Sequence, residues 1–268
     1  MRIFRFWSKV EESIEVGGAY QRMQCYGGSN VSVDEAKQDA RQRLARVLRR
    51  IAGENLRKEE YEADIREEIL AKLDDQNIVT RNRYGAEVLN SSGVMFVDID
   101  EPKYRFWDIF SGAPSIEHKK ERIVDFVKRR FTSPELHSLG VRLYETHNGI
   151  RAIITGQKFD PKSPDTRKLM RSLNADSLYS LLCKKQGCFR ARLTPKPSRM
   201  KCRTLRIVFP REDAGAEATL KAWLAEYERI RASFSTCRFI CTAGNEYSDP
   251  VIEYHDKATG AFSGLNLA

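Results

Sequence analysis

The sequence has no apolar run long enough to cross a bilayer, no internal repeat and no long low-complexity linker. Its opening, Met1-Arg2-Ile3-Phe4-Arg5-Phe6-Trp7, is too short and too alternating for a signal peptide. A cytoplasmic location without membrane contact is therefore expected. Cysteine is sparse, with six in 268 residues. A chain of this length can bury a large core and needs no disulfide framework. Cys183-x4-Cys188 and Cys237-x3-Cys241 lack the short spacings of a zinc finger, so they read as buried thiols. Zinc bound with help from Cys202 or His255 is the alternative. There is also no phosphate-loop signature. Gly27-Gly28-Ser29, which precedes a helix, reads as a tight turn, with a phosphate cradle as the alternative. The longest absence is of acid. From Ser177 to Arg211 there is no Asp or Glu, while the same stretch holds ten Lys or Arg. Such a one-sign field favours a polyanion, so nucleic acid or a nucleoside triphosphate is the expected partner.

What is present is ordinary for a globular protein: 41% apolar and 31% charged residues, with a net charge of +9. The chain is organised around Val94-Met95-Phe96-Val97-Asp98-Ile99-Asp100-Glu101-Pro102. Strand periodicity puts Asp98 and Asp100 on one face, with Val94 and Phe96 below them. Met95, Val97 and Ile99 face the other way. This predicts a central strand, buried on both faces, whose end emerges into a cleft. Two carboxylates there repel one another, and a divalent cation, Mg²⁺ or Mn²⁺, would relieve that. A solvated strand-to-turn junction is the plainer alternative.

Residues 1–26 read as two extended segments with a turn near Gly17-Gly18. Ser32 and Glu35 have capping-box spacing before a helix carrying Ala36, Ala40, Leu44, Val47, Leu48 and Ile51. A charged helix is expected from Glu59 to about Leu73. A strand, turn and strand follow over 78–90, where Arg81, Asn82, Arg83 and Tyr84 suit phosphate and base contacts. After Pro102 come the aromatics Tyr104, Phe106 and Trp107, suited to base stacking, to core packing or to a lid. A helix is expected over 116–131 and a hairpin over 141–155 around Asn148-Gly149. A helix from about Asp165 to Cys183 and a strand over 188–193 complete the series. From Val94 to Leu193 the order is β-α-β-β-α-β, the ferredoxin-like or split βαβ pattern. That pattern places both helices on one sheet face and leaves the other free. Beyond it, Thr204–Phe209 reads as a strand, Ala216–Arg231 as a helix, and Thr236–Thr242 and Val251–Tyr254 as strands. Ala258–Ala268 reads as a weakly ordered tail. The expected fold class is α+β: an N-terminal α/β subdomain over 1–90, the ferredoxin-like core over 91–210, and a helix with strands over 211–268.

The candidate metal ligands are Asp98 and Asp100, with Asp256 as the third carboxylate after another apolar strand. Thr146, His147 and Arg151 sit around the hairpin. Arg190 and Arg192 share one strand face, and Lys196 follows them. Carboxylate-held Mg²⁺ or Mn²⁺ beside cationic groups is suited to phosphoryl transfer. At these residues the chain resembles the archaeo-eukaryotic primase superfamily, the group of primases and primase-polymerases. Val94–Asp100 is similar to that group's apolar strand ending in Asp-x-Asp. Thr146-His147-Asn148-Gly149-Ile150-Arg151 is similar to its second motif. Thr146 stands where the family has serine and Gly149 at the turn, but Arg151 stands at the family's histidine and His147 falls in the turn. Val251–Asp256 would be the third motif. The resemblance implies an RRM-like core and a metal-dependent nucleotidyltransferase with Asp98, Asp100 and Asp256 catalytic. Thr146, His147, Arg151, Arg190, Arg192 and Lys196 would then bind nucleotide or nucleic-acid phosphate. A noncatalytic nucleic-acid-binding protein and a metal-dependent nuclease are the alternatives.

Overall fold

Two strands of equal length open the chain. In the computed structural model, which describes residues 1–16, 19–54, 63–100, 116–211 and 213–268, β1 (Phe6–Val16) pairs antiparallel with β2 (Ala19–Ser29). Helix α1 (Val33–Ile51) packs on this hairpin through Ala36, Ala40 and Leu44. Ser32 caps it, its Oγ accepting from Glu35 N at 3.1 Å. Gly27 and Gly28 do not form the expected tight turn: they lie within β2, opposite Ser8 and Trp7. A Cβ at Gly27 would run into the backbone of Ala36 and Ala40, and Gly28 N–H donates to Asp39. Close approach of strand to helix is what needs glycine here.

The charged helix expected from Glu59 does not form in its described part. Ile65 is buried beside Ile3 and Cys188, and Glu68–Lys72 is strand β3. Asp74 explains the change, because its carboxylate accepts from Gln76 N and Asn77 Nδ2 and folds a tight turn into β4 (Asn77–Arg81). Residues 55–62 lie outside the described residues. β5 (Glu87–Ser91) follows, then the acidic strand β6 (Met95–Asp100). Pro102, Tyr104, Phe106 and Trp107 lie outside the described residues.

Helix α2 (Ile116–Phe131) and the hairpin of β7 (Gly140–Thr146) and β8 (Gly149–Thr155) fall where expected. The single helix expected from Asp165 is two, α3 (Pro164–Ser172) and α4 (Ser177–Gln186). They are parted at Asn174, whose φ is +59°, and Asp176 caps the second. β9 (Phe189–Arg192), α5 (Ala214–Arg231), β10 (Phe234–Ser235), β11 (Cys237–Gly244), α6 (Pro250–Thr259) and β12 (Asn266–Leu267) complete the chain. Among the described residues no helix is long and apolar enough to cross a membrane.

The protein is α+β with mixed sheets. β11-β7-β8-β6 form one four-stranded sheet and β3-β4-β5-β9 another. The order β7-β8-β6 is that of a split βαβ unit. The fourth place differs from expectation, because β9 pairs with β5 rather than β6. β6 is therefore the last strand of its hydrogen-bonded sheet, not an interior one. Its Met95, Val97 and Ile99 still join the main core with Val127, Leu143 and Met170.

The sheet face bearing Asp98 is also covered, contrary to expectation. Val251–Tyr254 is not a strand but the start of α6, which lays His255 against the rings of Phe96 and Tyr144. The local sequence favours a helix once its caps are read. Asp249 accepts from Val251 N, Pro250 occupies the first turn, and Gly260 closes the end at φ +68°. The buried residues Val251, Ile252, His255 and Thr259 have helical spacing. Helix α2 lies on the opposite face, where Lys120 reaches Glu145 at 3.0 Å. The expected loose tail is instead packed: Ala261 and Ala268 are buried, and β12 pairs in parallel with β10.

Candidate phosphate site at the seam between two sheets

β6 and β9 run past each other without a ladder, and side chains join them. The Tyr179 hydroxyl lies 2.9 Å from Phe96 O, and 3.2 Å from both the N and the O of Arg190. Asp176 N–H donates to Asp98 O. Arg151 spans the same seam. Its Nε donates to Asp98 Oδ1 at 2.9 Å and its Nη1 to Arg192 O at 2.9 Å. The first bond follows from register, since Asp98 and Arg151 are direct partners across β6 and β8.

Arg151 is 2% exposed. Burial opposes its charge, but the Asp98 carboxylate and its other neighbours more than offset this, so its pKa is raised. Its Nη1 also lies 3.4 Å from His255 Nε2, and His255 Nδ1 lies 3.0 Å from Asp256 Oδ1. Burial first, and Arg151 in addition, push the His255 pKa down. Asp256 further accepts from Arg142 Nη2 at 2.8 Å, and Arg142 Nε donates to the Tyr144 hydroxyl. Despite burial, these partners hold the Asp256 carboxyl below its usual range.

This arrangement does not fit a three-carboxylate metal centre. Asp98 is ion-paired with Arg151, and Asp256 is ion-paired with Arg142 from a helix, not from a strand end. Asp100 is exposed, opposite Gly149 at the end of β6. Among the described residues no three His, Cys, Asp or Glu side chains gather as a metal site. That holds for the cysteines too: Cys183, Cys188, Cys202 and Cys237 are buried, and Cys25 and Cys241 half-buried.

The seam opens instead into a cleft of about 910 Å³. Arginines line it: Arg66, Arg81, Arg83, Arg190, Arg192 and Arg211, with Asp98 and Tyr84 among them. Two of these cations lie over aromatic rings, Arg66 over Tyr26 and Arg83 over Tyr84, and three are matched by carboxylates. Glu67 holds Arg190, and Glu68 holds Arg211 and Arg81. Arg192 is the exception. No carboxylate or hydrogen bond holds its guanidinium among the described residues, and its Nε is wholly out of solvent without an acceptor. Burial, then Arg151 and Arg199, bring its pKa down to about 10. Burial likewise lowers Arg199, against the pull of Asp100 and Asp98.

The hairpin residues divide. Arg151 belongs to the seam, but Thr146 Oγ donates to Gly149 O and only closes the turn. His147 is exposed, 3.3 Å from Leu267 O, and does not join the cleft lining. Lys196 Nζ sits 5.6 Å from the Tyr84 ring centroid, at the hairpin that borders the cleft. Sequence reading did not single out Tyr179, Glu67 or Arg142, and gave Arg199 only as one charge in the acid-free stretch. Each has a partner more than forty residues away in the sequence. Comparison with protein-family models, with curated proteins and with solved structures finds no match.

Proposed function

We propose that the protein binds phosphate groups of a nucleic acid or nucleotide in this cleft, with Arg192 as the anchoring cation. The observation that carries the reading is the unmatched Arg192 guanidinium, held beside Arg151 and Arg199. Crowded cations of this kind are stabilised by an anion, and guanidinium matches phosphate geometry. The acid-free stretch from Ser177 to Arg211 supplies a field of the same sign. The β7-β8-β6 order and the Asp-x-Asp strand support kinship with primase-type proteins. In the structure described, Asp98 serves as the counter-ion of Arg151. Binding alone is therefore favoured over metal-dependent nucleotidyl transfer.

The test is fluorescence anisotropy with a labelled single-stranded oligonucleotide, using pyrophosphate as competitor. Arg192→Gln is expected to weaken binding about tenfold and to reduce the salt slope by about one. Unchanged affinity in this variant overturns the proposal.

A further inference from the structure

The segment 204–209 carries a feature the cleft does not use. Its side chains alternate as in a strand: Leu205 is buried and Ile207 half-buried, while Thr204, Arg206 and Val208 are exposed. Yet it belongs to no sheet. None of its backbone N–H or C=O groups bonds to another described residue. Just before it, Arg203 O accepts from the Trp223 indole at 2.7 Å and anchors the segment to α5. Open space lies on both sides. The arginine cleft is on one, and on the other is a second cleft of about 680 Å³, between residues 201–207 and α5. Leu205 and Ile207 line both.

An extended segment with unpaired donors and acceptors is a template for strand addition. We propose that residues 204–209 dock an extended acidic peptide of a partner protein as an added β-strand. Charge selects the occupant. Lys201, Arg203 and Arg206 are exposed along this edge, and Glu226, the acid in the second cleft's lining, is bound by Arg229. The backbone selects the class of molecule. Alternating N–H and C=O groups are matched by another peptide chain, whereas a phosphodiester backbone offers no donor to the carbonyls.

The probe is a short fluorescein-labelled peptide of alternating Val and Glu. A control peptide has the same sequence with alternate backbone amides N-methylated, which keeps charge and removes ladder donors. The unmodified peptide is expected to bind, and to slow amide exchange at Leu205–Phe209. N-methylation and Arg206→Glu each weaken binding about tenfold or more. Arg192→Gln binds the peptide as the wild type does, which keeps this result separate from that of the phosphate site. Equal binding of the N-methylated peptide overturns the proposal, as does no binding up to about 1 mM. So does protection of these amides by an oligonucleotide but not by the peptide.

Discussion

Arg151 Nη1 lies 3.4 Å from Nε2 of His255, and this contact fixes the imidazole proton. A guanidinium only donates, so Nε2 must accept and the proton sits on Nδ1, facing Asp256 Oδ1 at 3.0 Å. His255 is fully buried between Phe96 and Tyr144. Asp256 and Asp98 favour a second proton there, but burial and Arg151 outweigh them and the pKa is lowered.

A pH dependence of stability follows. The unfolded histidine titrates near about 6.5. Because the folded value lies lower, the contribution is fully present above that pH. It is lost as pH falls toward the folded value, since the unfolded chain then binds the extra proton. Urea midpoints should drop between about pH 7 and 5, with a slope of up to about 1.4 kcal/mol per pH unit from this one group. His255→Phe should be less stable at neutral pH but flatter across the window. An equal slope in both proteins would remove His255 as the cause.

How this network escaped the sequence is instructive. Asp98, Asp100 and the hairpin of Arg151 were legible because strand periodicity and Asn-Gly turns are local signals. The register that pairs Asp98 with Arg151 follows from that hairpin and a single neighbouring strand. Asp256 was seen as an acid but placed on a strand. Val251–Tyr254 is apolar enough for either state, and only the Asp249 cap and Gly260 stop decide it. The exchange of β9 from β6 to β5 has no local signature. It depends on the Tyr179 hydroxyl standing where a ladder bond would be, on a helix reached through the loop that Asn174 opens. The same loss of local signal hides the partners of the arginines, because Glu67 precedes Arg190 by more than a hundred residues.

The Asp98–Arg151 pair should respond unequally to loss of either partner. The Arg151 side chain is 3% exposed and that of Asp98 39%. Asp98→Ala leaves a buried cation without its carboxylate, at a cost of about 2–4 kcal/mol after allowing for Asp98's contact with water. Arg151→Met replaces the cation with an apolar chain and lets Asp98 turn to solvent, so it should cost less. It also releases a carboxylate beside Asp100. Calorimetry with Mn²⁺ should then show about tenfold tighter binding than in wild type. Equal Mn²⁺ affinity in the two proteins would show that Arg151 does not suppress cation binding there.

Glu67 occupies Arg190 much as an anion would, with both carboxylate oxygens within 2.7 Å of Nη2. It also accepts from Thr80 Oγ1 at 2.6 Å. Glu67→Gln should weaken these bonds and cost about 1–2 kcal/mol. The same change removes a unit of negative charge from the cleft. Oligonucleotide affinity should rise a few-fold and its salt dependence steepen, in contrast to Arg192→Gln. A variant that loses both stability and affinity would show instead that Glu67 matters only by placing β9.

Tyr179 gives the sharpest test of the seam itself. Its hydroxyl has one proton and donates best to Phe96 O, the nearer carbonyl, while accepting from Arg190 N. Those groups belong to strands in different sheets, so one oxygen stands in for part of a missing ladder. Tyr179→Phe keeps the ring and removes the oxygen. Phe96 O and Arg190 N lose a hydrogen-bond partner, at a cost of about 1–3 kcal/mol. Amide exchange at Arg190 should accelerate more than at Leu143, which sits within the β11-β7-β8 ladder. Phosphate affinity should fall too, because Arg190 and Arg192 share this short strand and its placement sets the cleft wall. Arg192→Gln should lower affinity without faster Arg190 exchange. Faster exchange in both variants would mean that Arg192 holds the strand in place rather than meeting a ligand.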